Sequence, residues 1–233
     1  MRIARVFPRR TKATPTDALA FTDAPGLMPP DVDEVHVSVA FTWDLPRAEY
    51  LAKAWKHVAP VSIGGPATGM RGYEFTPGRY LRPGNVITSR GCPNRCWFCS
   101  VWRREDGVRT LPIHDGYNVR DDNLLACPDD HIRAVFGMLA RQHEPIVFSG
   151  GLEAARLKPW HAEAMFGLRS PRLYFAYDTP DDYEPLVAAA STLWSAGFKR
   201  GSHNILAYVL IGGPRDTFDA AEARLRQVTD IGL

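Results

Sequence analysis

Hydrophobic residues near the start of the chain form short runs that alternate with a segment of helical spacing. Residues 35–41 are rich in Val, residues 46–58 carry apolar positions at helical intervals, and residues 61–63 form another short run. A strand, a helix and a strand in this order predict a βαβ unit with parallel strands. Residues 1–8 add a candidate strand, and residues 11–30, rich in Thr, Ala and Pro, are predicted to form a loop.

The rest of the chain repeats this alternation of strands and helices. The predicted strands comprise residues 86–89, 118–119, 146–148, 173–177 and 205–211. The predicted helices comprise residues 129–141, 161–168, 182–196 and 217–229. Such alternation is typical of a parallel sheet covered by helices, either an open sheet or a partial barrel. Because Leu233 follows a predicted helix, one more strand would be expected after it, and the barrel is expected to be partial.

These patterns assign the chain to the α/β class with two domains. We predict a small α/β lobe at residues 1–75 and a partial (β/α) barrel of parallel strands at residues 76–233, with a linker at residues 70–84. Ligands of parallel α/β folds gather at the carboxyl ends of the strands. The segments after the five strands of the second domain are polar or rich in glycine, which predicts an active site at one edge of that sheet.

Composition and charge narrow the classes of protein to which the chain can belong. It has 233 residues, 45% of them hydrophobic, and a formal net charge of +2, which is typical of a globular protein without a basic footprint for nucleic acid. No apolar run approaches the roughly 18 residues that a transmembrane helix needs, so no membrane association is expected. The first ten residues contain four arginines and no apolar segment of a secretory signal, which predicts a cytoplasmic location.

Three of the four cysteines lie within eight residues, which predicts a metal centre in a reducing compartment. Cys92, Cys96 and Cys99 are soft ligands that suit an iron–sulfur cluster or zinc. In a cubane cluster of four irons, three thiolates bind three of the irons. The fourth iron is then open to a small molecule. In a zinc site of the Cys3His type, His114 or His131 would be the fourth ligand.

The cysteine segment reads RGCPNRCWFC, with the spacing CxxxCxxC, an aromatic residue before the last cysteine and a preceding strand that ends in Arg-Gly. In these features it resembles the radical S-adenosylmethionine (SAM) superfamily, over about residues 80–233. The resemblance implies that Cys92, Cys96 and Cys99 hold a [4Fe-4S] cluster whose open iron binds SAM. It implies reductive cleavage of SAM to methionine and a 5′-deoxyadenosyl radical that acts on a substrate.

The same resemblance implies an external electron donor such as flavodoxin or ferredoxin. The substrate does not follow from these residues, although an open barrel mouth would admit a macromolecule.

The resemblance also implies which strand ends contact SAM. Gly150, Gly151 and Glu153 look like the Gly-Gly-Glu element that holds the methionine amino group, since glycines admit a close ligand and a carboxylate pairs with an ammonium. Here a leucine is inserted before the glutamate, and the element follows the third strand of the sheet rather than the second. The segment after the second strand, with Asp122 and Asn123, is the alternative holder of the amino group.

Three further positions match places at which the family contacts SAM. Asp178 follows the fourth strand, from which the family binds the ribose hydroxyls; alternatively it caps the next helix or closes a turn. Gly212 fits the adenine-facing glycine, or else a plain turn after the last strand. Phe98 would present its backbone to adenine.

Residues 35–66 resemble the Rossmann-like domain that precedes the barrel in cobalamin-binding radical SAM enzymes. The Asp-x-His-x-x-Gly signature of that domain is absent, and His36 and His57 are expected to be packed or at the surface. We therefore interpret the lobe as a reduced relative of that domain. Its small core is predicted to comprise Val35, Val37, Val39, Leu51 and Trp55.

Two functions stand as alternatives to a radical SAM enzyme without cobalamin. One is a cobalamin-dependent radical SAM methyltransferase, and the other is a non-catalytic zinc-binding module for protein interaction or nucleic-acid binding. The fourth cysteine, Cys127, is predicted to be a buried structural thiol, with a second-site ligand or a reactive thiol as alternatives.

Overall fold

The computed structural model describes residues 1–71, 74–213 and 216–233 as an α/β protein with two parallel sheets, of four and five strands. Contacts within the chain divide it into two units, Met1–Asn85 and Val86–Leu233. The boundary predicted from the sequence lies earlier, at residue 75. Gly72 and Tyr73 of the predicted linker lie outside the described residues.

The first unit contains four parallel strands and one helix. Its elements are β1 (Ile3–Val6), β2 (Ala20–Phe21), β3 (Glu34–Ser38), α1 (Leu45–Trp55) and β4 (Val61–Gly64), and the strand order is β2-β1-β3-β4. The predicted βαβ unit is β3-α1-β4, and its strands pair in parallel. The prediction of a loop at residues 11–30 is wrong at β2, because a pairing of only two residues with β1 leaves no periodic signal in the sequence.

The core of the first unit forms between the sheet and α1. Strand β3 and the residue after it carry alternate valines on one face, namely Val35, Val37 and Val39. These valines pack against Leu51 and Trp55 of α1. All five side chains are buried. The Trp55 indole Nε1 donates a hydrogen bond of 3.0 Å to a backbone oxygen in the loop after β2, so its polar atom is satisfied as well. The predicted core is therefore confirmed.

The second unit arranges five strands in the order in which they occur along the chain. Its sheet strands are β5 (Asn85–Val86), which begins one residue before the unit, β8 (Asn118–Val119), β9 (Val147–Leu152), β10 (Arg172–Tyr177) and β11 (Ile205–Val209). The helices are α2 (Val101–Arg104), α3 (Asp129–Ala140), α4 (Pro159–Phe166), α5 (Tyr183–Ser195) and α6 (Phe218–Ile231). Each connection leads to the next strand in the same direction across the sheet. Connections of this kind with the usual right-handed sense place their helices on one face of the sheet, as in a (β/α) barrel.

The strand predicted at residues 86–89 is split in the structure. Its first part, β5, joins the sheet, whereas Ser89–Arg90 forms β6 and pairs in antiparallel fashion with Arg109–Thr110, which forms β7. The hairpin β6–β7 encloses the cysteine segment and α2. Local sequence does not reveal this split, because it depends on the pairing of β6 with a strand about twenty residues further on.

Two other strand boundaries differ from the prediction. Strand β9 continues through both glycines to Leu152, beyond the predicted end at residue 148, and β11 ends at Val209 rather than at residue 211. The remaining helices and strands lie within a few residues of their predicted positions. None of the described helices has the length and apolar character needed to cross a bilayer.

Candidate active site

The cysteine segment is anchored to the carboxyl end of β8 by two adjacent carboxylates. Buried Asp121 accepts hydrogen bonds from the backbone N–H and hydroxyl of Thr88, both at 2.6 Å, and from the Ser89 hydroxyl at 2.7 Å. Asp122 accepts a 2.8 Å bond from the backbone N–H of Gly91. Burial raises the pKa of Asp121, and its hydrogen bonds oppose that rise. The start of the cysteine loop is thus fixed at a strand end of the sheet.

Gly91 must be a glycine for the hairpin to close. Its φ angle is +88°, and a side-chain carbon at this position would stand 1.7 Å from the carbonyl oxygen of Gly107. The two strands of the hairpin therefore approach each other through a residue without a side chain.

The three cysteines are partly exposed and share one electrostatic environment. Burial raises the pKa of the Cys96 thiol, and the neighbouring Cys99, Cys92 and Asp178 raise it further. Backbone groups hold the turn: the N–H of Cys99 donates to the carbonyl of Cys96 at 3.1 Å, and the N–H of Val101 points to the Cys99 sulfur at 3.5 Å. A positive metal centre would oppose this rise in the pKa of Cys96 and stabilise its thiolate.

Among the described residues, no group of three or more His, Cys, Asp or Glu side chains is arranged to hold a single metal ion. Each thiolate of a cubane ligates its own iron, so such ligands need not converge on one point. The fit of a cluster is therefore judged from the donor set and from the polar groups beside it.

Asn123 connects the cysteine segment to the glycine-rich strand β9. Its Nδ2 donates to the Cys92 sulfur at 3.2 Å and to Glu153 Oε2 at 2.6 Å. The residue is only 4% exposed, and its Oδ1 has no hydrogen-bond partner among the described residues. A buried acceptor without a donor costs about 1–3 kcal/mol, so this atom suits a ligand that brings an N–H group. Asn123 thus fits a contact with an ammonium beside Cys92.

Glu153 lies directly after β9 and carries an ion pair of its own. Its Oε2 accepts from Arg156 Nε at 2.6 Å as well as from Asn123. All its hydrogen bonds within the described residues end on Oε2, which leaves Oε1 for a further donor. Arg156 is not among the site residues predicted from the sequence, although opposite charges three residues apart are a recognisable signal for an ion pair.

The inserted leucine before Glu153 is accommodated by an irregularity in β9. Phe148 pairs with Leu173 and Leu152 with Phe175, so three residues of β9 face one residue of β10. Gly150 permits this path, since a side-chain carbon there would stand 2.3 Å from the backbone oxygen of Asp121. Gly151 adopts a φ of +96°. Both glycines are therefore required by the backbone, and Leu152 is buried in the core.

Asp178 follows β10 with its carboxylate partly buried near Cys96. Burial raises its pKa to about 6, and the charge of Asp182 contributes to the rise. The turn after β10 is closed by Asp182, which accepts from the backbone N–H groups of Asp178 and Thr179 at 3.0 and 2.8 Å. The alternative interpretation, that Asp178 caps the next helix, is therefore wrong. Its carboxylate has no hydrogen-bond partner among the described residues and is available to hydroxyl groups.

The segment after β11 contains two glycines, the second of which lies against the cysteine loop. Gly212 has a φ of +79°, and its N–H donates to Asp216 at 2.9 Å. A side-chain carbon on Gly213 would stand 2.9 Å from the Trp97 ring, and Phe98 meets that ring edge-on at 5.3 Å between centroids. Pro214 and Arg215 lie outside the described residues. Phe98, a predicted adenine contact, and Gly213, the residue after the predicted contact Gly212, thus lie against one tryptophan.

The other candidate ligands named from the sequence have structural partners. His131 contacts the Thr88 hydroxyl at 3.2 Å and lies beside Asp121, and burial lowers its pKa. Cys127 is 6% exposed, burial raises the pKa of its thiol, and its sulfur lies 3.9 Å from the Asn123 carbonyl. The prediction that Cys127 is buried is confirmed.

No protein-family model matches the chain, and no curated protein sequence is similar to it.

Proposed function

We propose that the chain is a radical SAM enzyme, in which Cys92, Cys96 and Cys99 hold a [4Fe-4S] cluster and the strand ends of the second unit bind SAM. The observation that supports it best is the side chain of Asn123, which bonds at once to the Cys92 sulfur and to Glu153. It joins the cysteine motif to the Gly-Gly-Leu-Glu segment, and these two motifs are far apart in the sequence. When bound, such a cluster supplies one electron for reductive cleavage of SAM to methionine and a 5′-deoxyadenosyl radical.

Glu153 and Asn123 are assigned to the methionine ammonium. The open Oε1 of Glu153 and the orphan Oδ1 of Asn123 both accept hydrogen bonds, and a carboxylate adds charge to its contact. Asp122 is assigned a supporting role, because its carboxylate accepts from Gly91 and keeps the loop in place. Gly150 and Gly151 bring the backbone past β8 so that Glu153 reaches Asn123.

Asp178 is assigned to the two ribose hydroxyls, because a carboxylate can accept from both. Gly212 and the backbone of Phe98 are assigned to adenine. An external one-electron donor such as flavodoxin or ferredoxin supplies the reducing equivalent. Since the motif needs free thiols, we assign the protein to the reducing cytoplasm.

The alternatives have less support. His131, a candidate zinc ligand, is bonded to Thr88 instead. His36, the strand histidine of the first unit, is held by the Tyr80 hydroxyl at 2.5 Å and by Glu34 at 2.8 Å, and His57 is exposed on the surface. Neither of them presents a free imidazole in a corrinoid-binding context.

The test is anaerobic reconstitution with iron and sulfide, reduction with dithionite and detection of 5′-deoxyadenosine by mass spectrometry after SAM is added. Iron content and visible absorbance are measured in parallel. Wild-type protein is expected to bind about four irons and to release 5′-deoxyadenosine slowly without substrate. Replacing Cys92, Cys96 or Cys99 singly by Ala should abolish both readouts.

Cys127→Ala is the matched control, because it removes a thiol that lies outside the motif. It should retain iron and 5′-deoxyadenosine release. Stoichiometric zinc with no iron would contradict the proposal, and so would loss of iron in Cys127→Ala equal to that in the other variants.

A further inference from the structure

The strand order of the first unit reverses between β1 and β3. From β1 the chain proceeds to β2 on one side, and from β3 it proceeds through α1 to β4 on the other side. In open parallel sheets such a reversal leaves a crevice outside the carboxyl ends of the two central strands, and ligands bind there. The residues that follow β1 and β3 are therefore the place to look for a binding site in this unit.

Two aromatic side chains after β3 form an exposed stack. The rings of Phe41 and Trp43 lie 4.8 Å apart between centroids, with an angle of 9° between their planes. Phe41 is 37% exposed and Trp43 is 68% exposed. A nearly parallel pair in contact with water offers a flat, rigid surface onto which another planar group can stack. The pair does not contribute to the core of the unit, which lies on the α1 side of the sheet.

Cationic side chains follow β1, the other strand at the reversal. Arg9 donates from Nε and one NH2 group to Asp44 at 3.0 and 2.9 Å, which brings the segment after β1 against the turn that contains Trp43. Arg10 and Lys12 come next along the chain, are exposed, and make no ion pair with any described residue. The pair of Arg9 with Asp44 therefore ties a cationic segment to the turn that carries Trp43.

We infer that this aromatic–basic edge, formed by Phe41, Trp43, Arg10 and Lys12, binds a nucleotide. The base would stack on Trp43, and its phosphate would lie toward Arg10 and Lys12. A nucleotide combines an aromatic ring with a nearby anion, and these match the aromatic and the cationic side chains of the edge. Neither a peptide backbone nor an apolar partner would use both kinds of side chain. The same chemistry is offered by free nucleotides and by single-stranded nucleic acid. This inference is independent of the function proposed for the second unit.

The test is titration of the full chain with two probes, UMP and a fluorescein-labelled 12-nucleotide oligouridylate, followed by calorimetry and fluorescence anisotropy respectively. Saturating S-adenosylhomocysteine is present, so that a SAM site elsewhere does not contribute. Trp43→Ala should weaken binding about five- to a hundredfold, because one stacked base is lost. Trp43→Phe should restore binding to within about threefold of wild type.

The charge contribution is tested by salt dependence with the oligonucleotide. The double variant Arg10→Gln, Lys12→Gln should flatten the slope of log K against log salt by about 0.7 for each phosphate contact removed. Phe218→Ala is the matched control, since Phe218 is an exposed aromatic residue in the second unit, and binding should be unchanged.

The two probes distinguish the source of the ligand. Binding of UMP and oligouridylate with similar affinity per nucleotide identifies a mononucleotide site, whereas tight binding of the oligonucleotide alone identifies single-stranded nucleic acid. Absence of binding by both probes would overturn the inference. Equal binding by Trp43→Ala and wild type would overturn it as well, and so would competition of cobalamin with UMP at micromolar concentration.

Discussion

At the residue scale, Asn123 links two parts of the candidate site, although its side chain is neutral. One carboxamide donates both to a sulfur and to a carboxylate, and this fixes the orientation of the amide, because its oxygen would be repelled by Glu153. The oxygen is thereby turned to where no described group can satisfy it. A ligand that donates a hydrogen bond there removes the cost of an unpaired buried acceptor.

Glu153→Gln is therefore expected to weaken SAM binding without loss of iron. The substitution removes the charge from the contact with the ammonium, and a charge-assisted hydrogen bond contributes about 1.5–3 kcal/mol, or about ten- to a hundredfold in affinity. Asn123→Ala should weaken binding to a similar degree, because Glu153 loses its support. Affinity is measured by anaerobic equilibrium dialysis of reconstituted protein, and iron by colorimetry.

Asp122→Asn provides the comparison, since Asp122 supports the cysteine loop through Gly91. It should affect iron incorporation more than SAM affinity. Unchanged SAM affinity in Glu153→Gln, with a large loss in Asp122→Asn, would transfer the ammonium contact to Asp122.

At the scale of elements, the β6–β7 hairpin depends on a single glycine. Gly91→Ala is expected to lower the free energy of unfolding by about 2 kcal/mol or more and to reduce iron incorporation, because the residue has a positive φ and its side chain would collide with Gly107. Gly137→Ala on α3 is the matched control, since open space surrounds Gly137. It should raise stability by about 0.5–1 kcal/mol. Chemical denaturation measures both variants, and an unaffected Gly91→Ala would show that the hairpin does not hold the loop.

Helix α4 contains a histidine that makes stability depend on pH. His161 is fully buried, and its Nδ1 accepts from the backbone N–H of Lys158 at 3.1 Å. Its pKa is lowered to about 4, mainly by burial and also by the charges of Lys158 and Arg133, against the opposing charge of Asp129. Because the folded state holds this imidazole neutral, its contribution is fully present above the unfolded pKa near 6.5 and is lost as the pH falls toward 4.

We expect this one group to remove up to about 3 kcal/mol of stability between pH 6.5 and pH 4. Denaturant unfolding across this range measures the slope for wild type and for His161→Gln, whose side chain does not titrate. The variant should show a flatter profile. His57→Gln, which replaces an exposed histidine, should leave the profile unchanged. Equal slopes for His161→Gln and wild type would show that other groups cause the dependence.

At the scale of the whole molecule, the two units have separate sheets, and the first has a core of its own. Trp55→Ala should destabilise the first unit by about 3–5 kcal/mol, because it empties the largest buried position of that core. Iron content should stay at the wild-type value, since the cysteines belong to the second unit. Tyr50→Ala, an exposed position on the same helix, should change stability by less than about 0.5 kcal/mol. Loss of iron in parallel with unfolding of Trp55→Ala would mean that the units unfold as one.

Short-range patterns in the sequence predicted the class of fold, the order of elements and the core of the first unit. Periodicity of two or of 3.6 residues is a local property, so Val35, Val37 and Val39 could be assigned to one face of a strand without any coordinates. The cysteine spacing is equally local. It predicted a soft-metal centre, and that remains a prediction.

Only the tertiary structure decided which polar side chains meet. Asn123 reaches Cys92 and Glu153 from about thirty residues away in either direction, and no repeat or spacing encodes such contacts. The division of residues 86–89 between two sheets and the irregular path of β9 through Gly150 depend on neighbouring strands in the same way. The exposed stack of Phe41 and Trp43 becomes a candidate binding surface only through the strand order. The reversal between β1 and β3 is a property of the sheet and cannot be read along the chain. Local propensity fixes elements, whereas a site forms where distant elements end together.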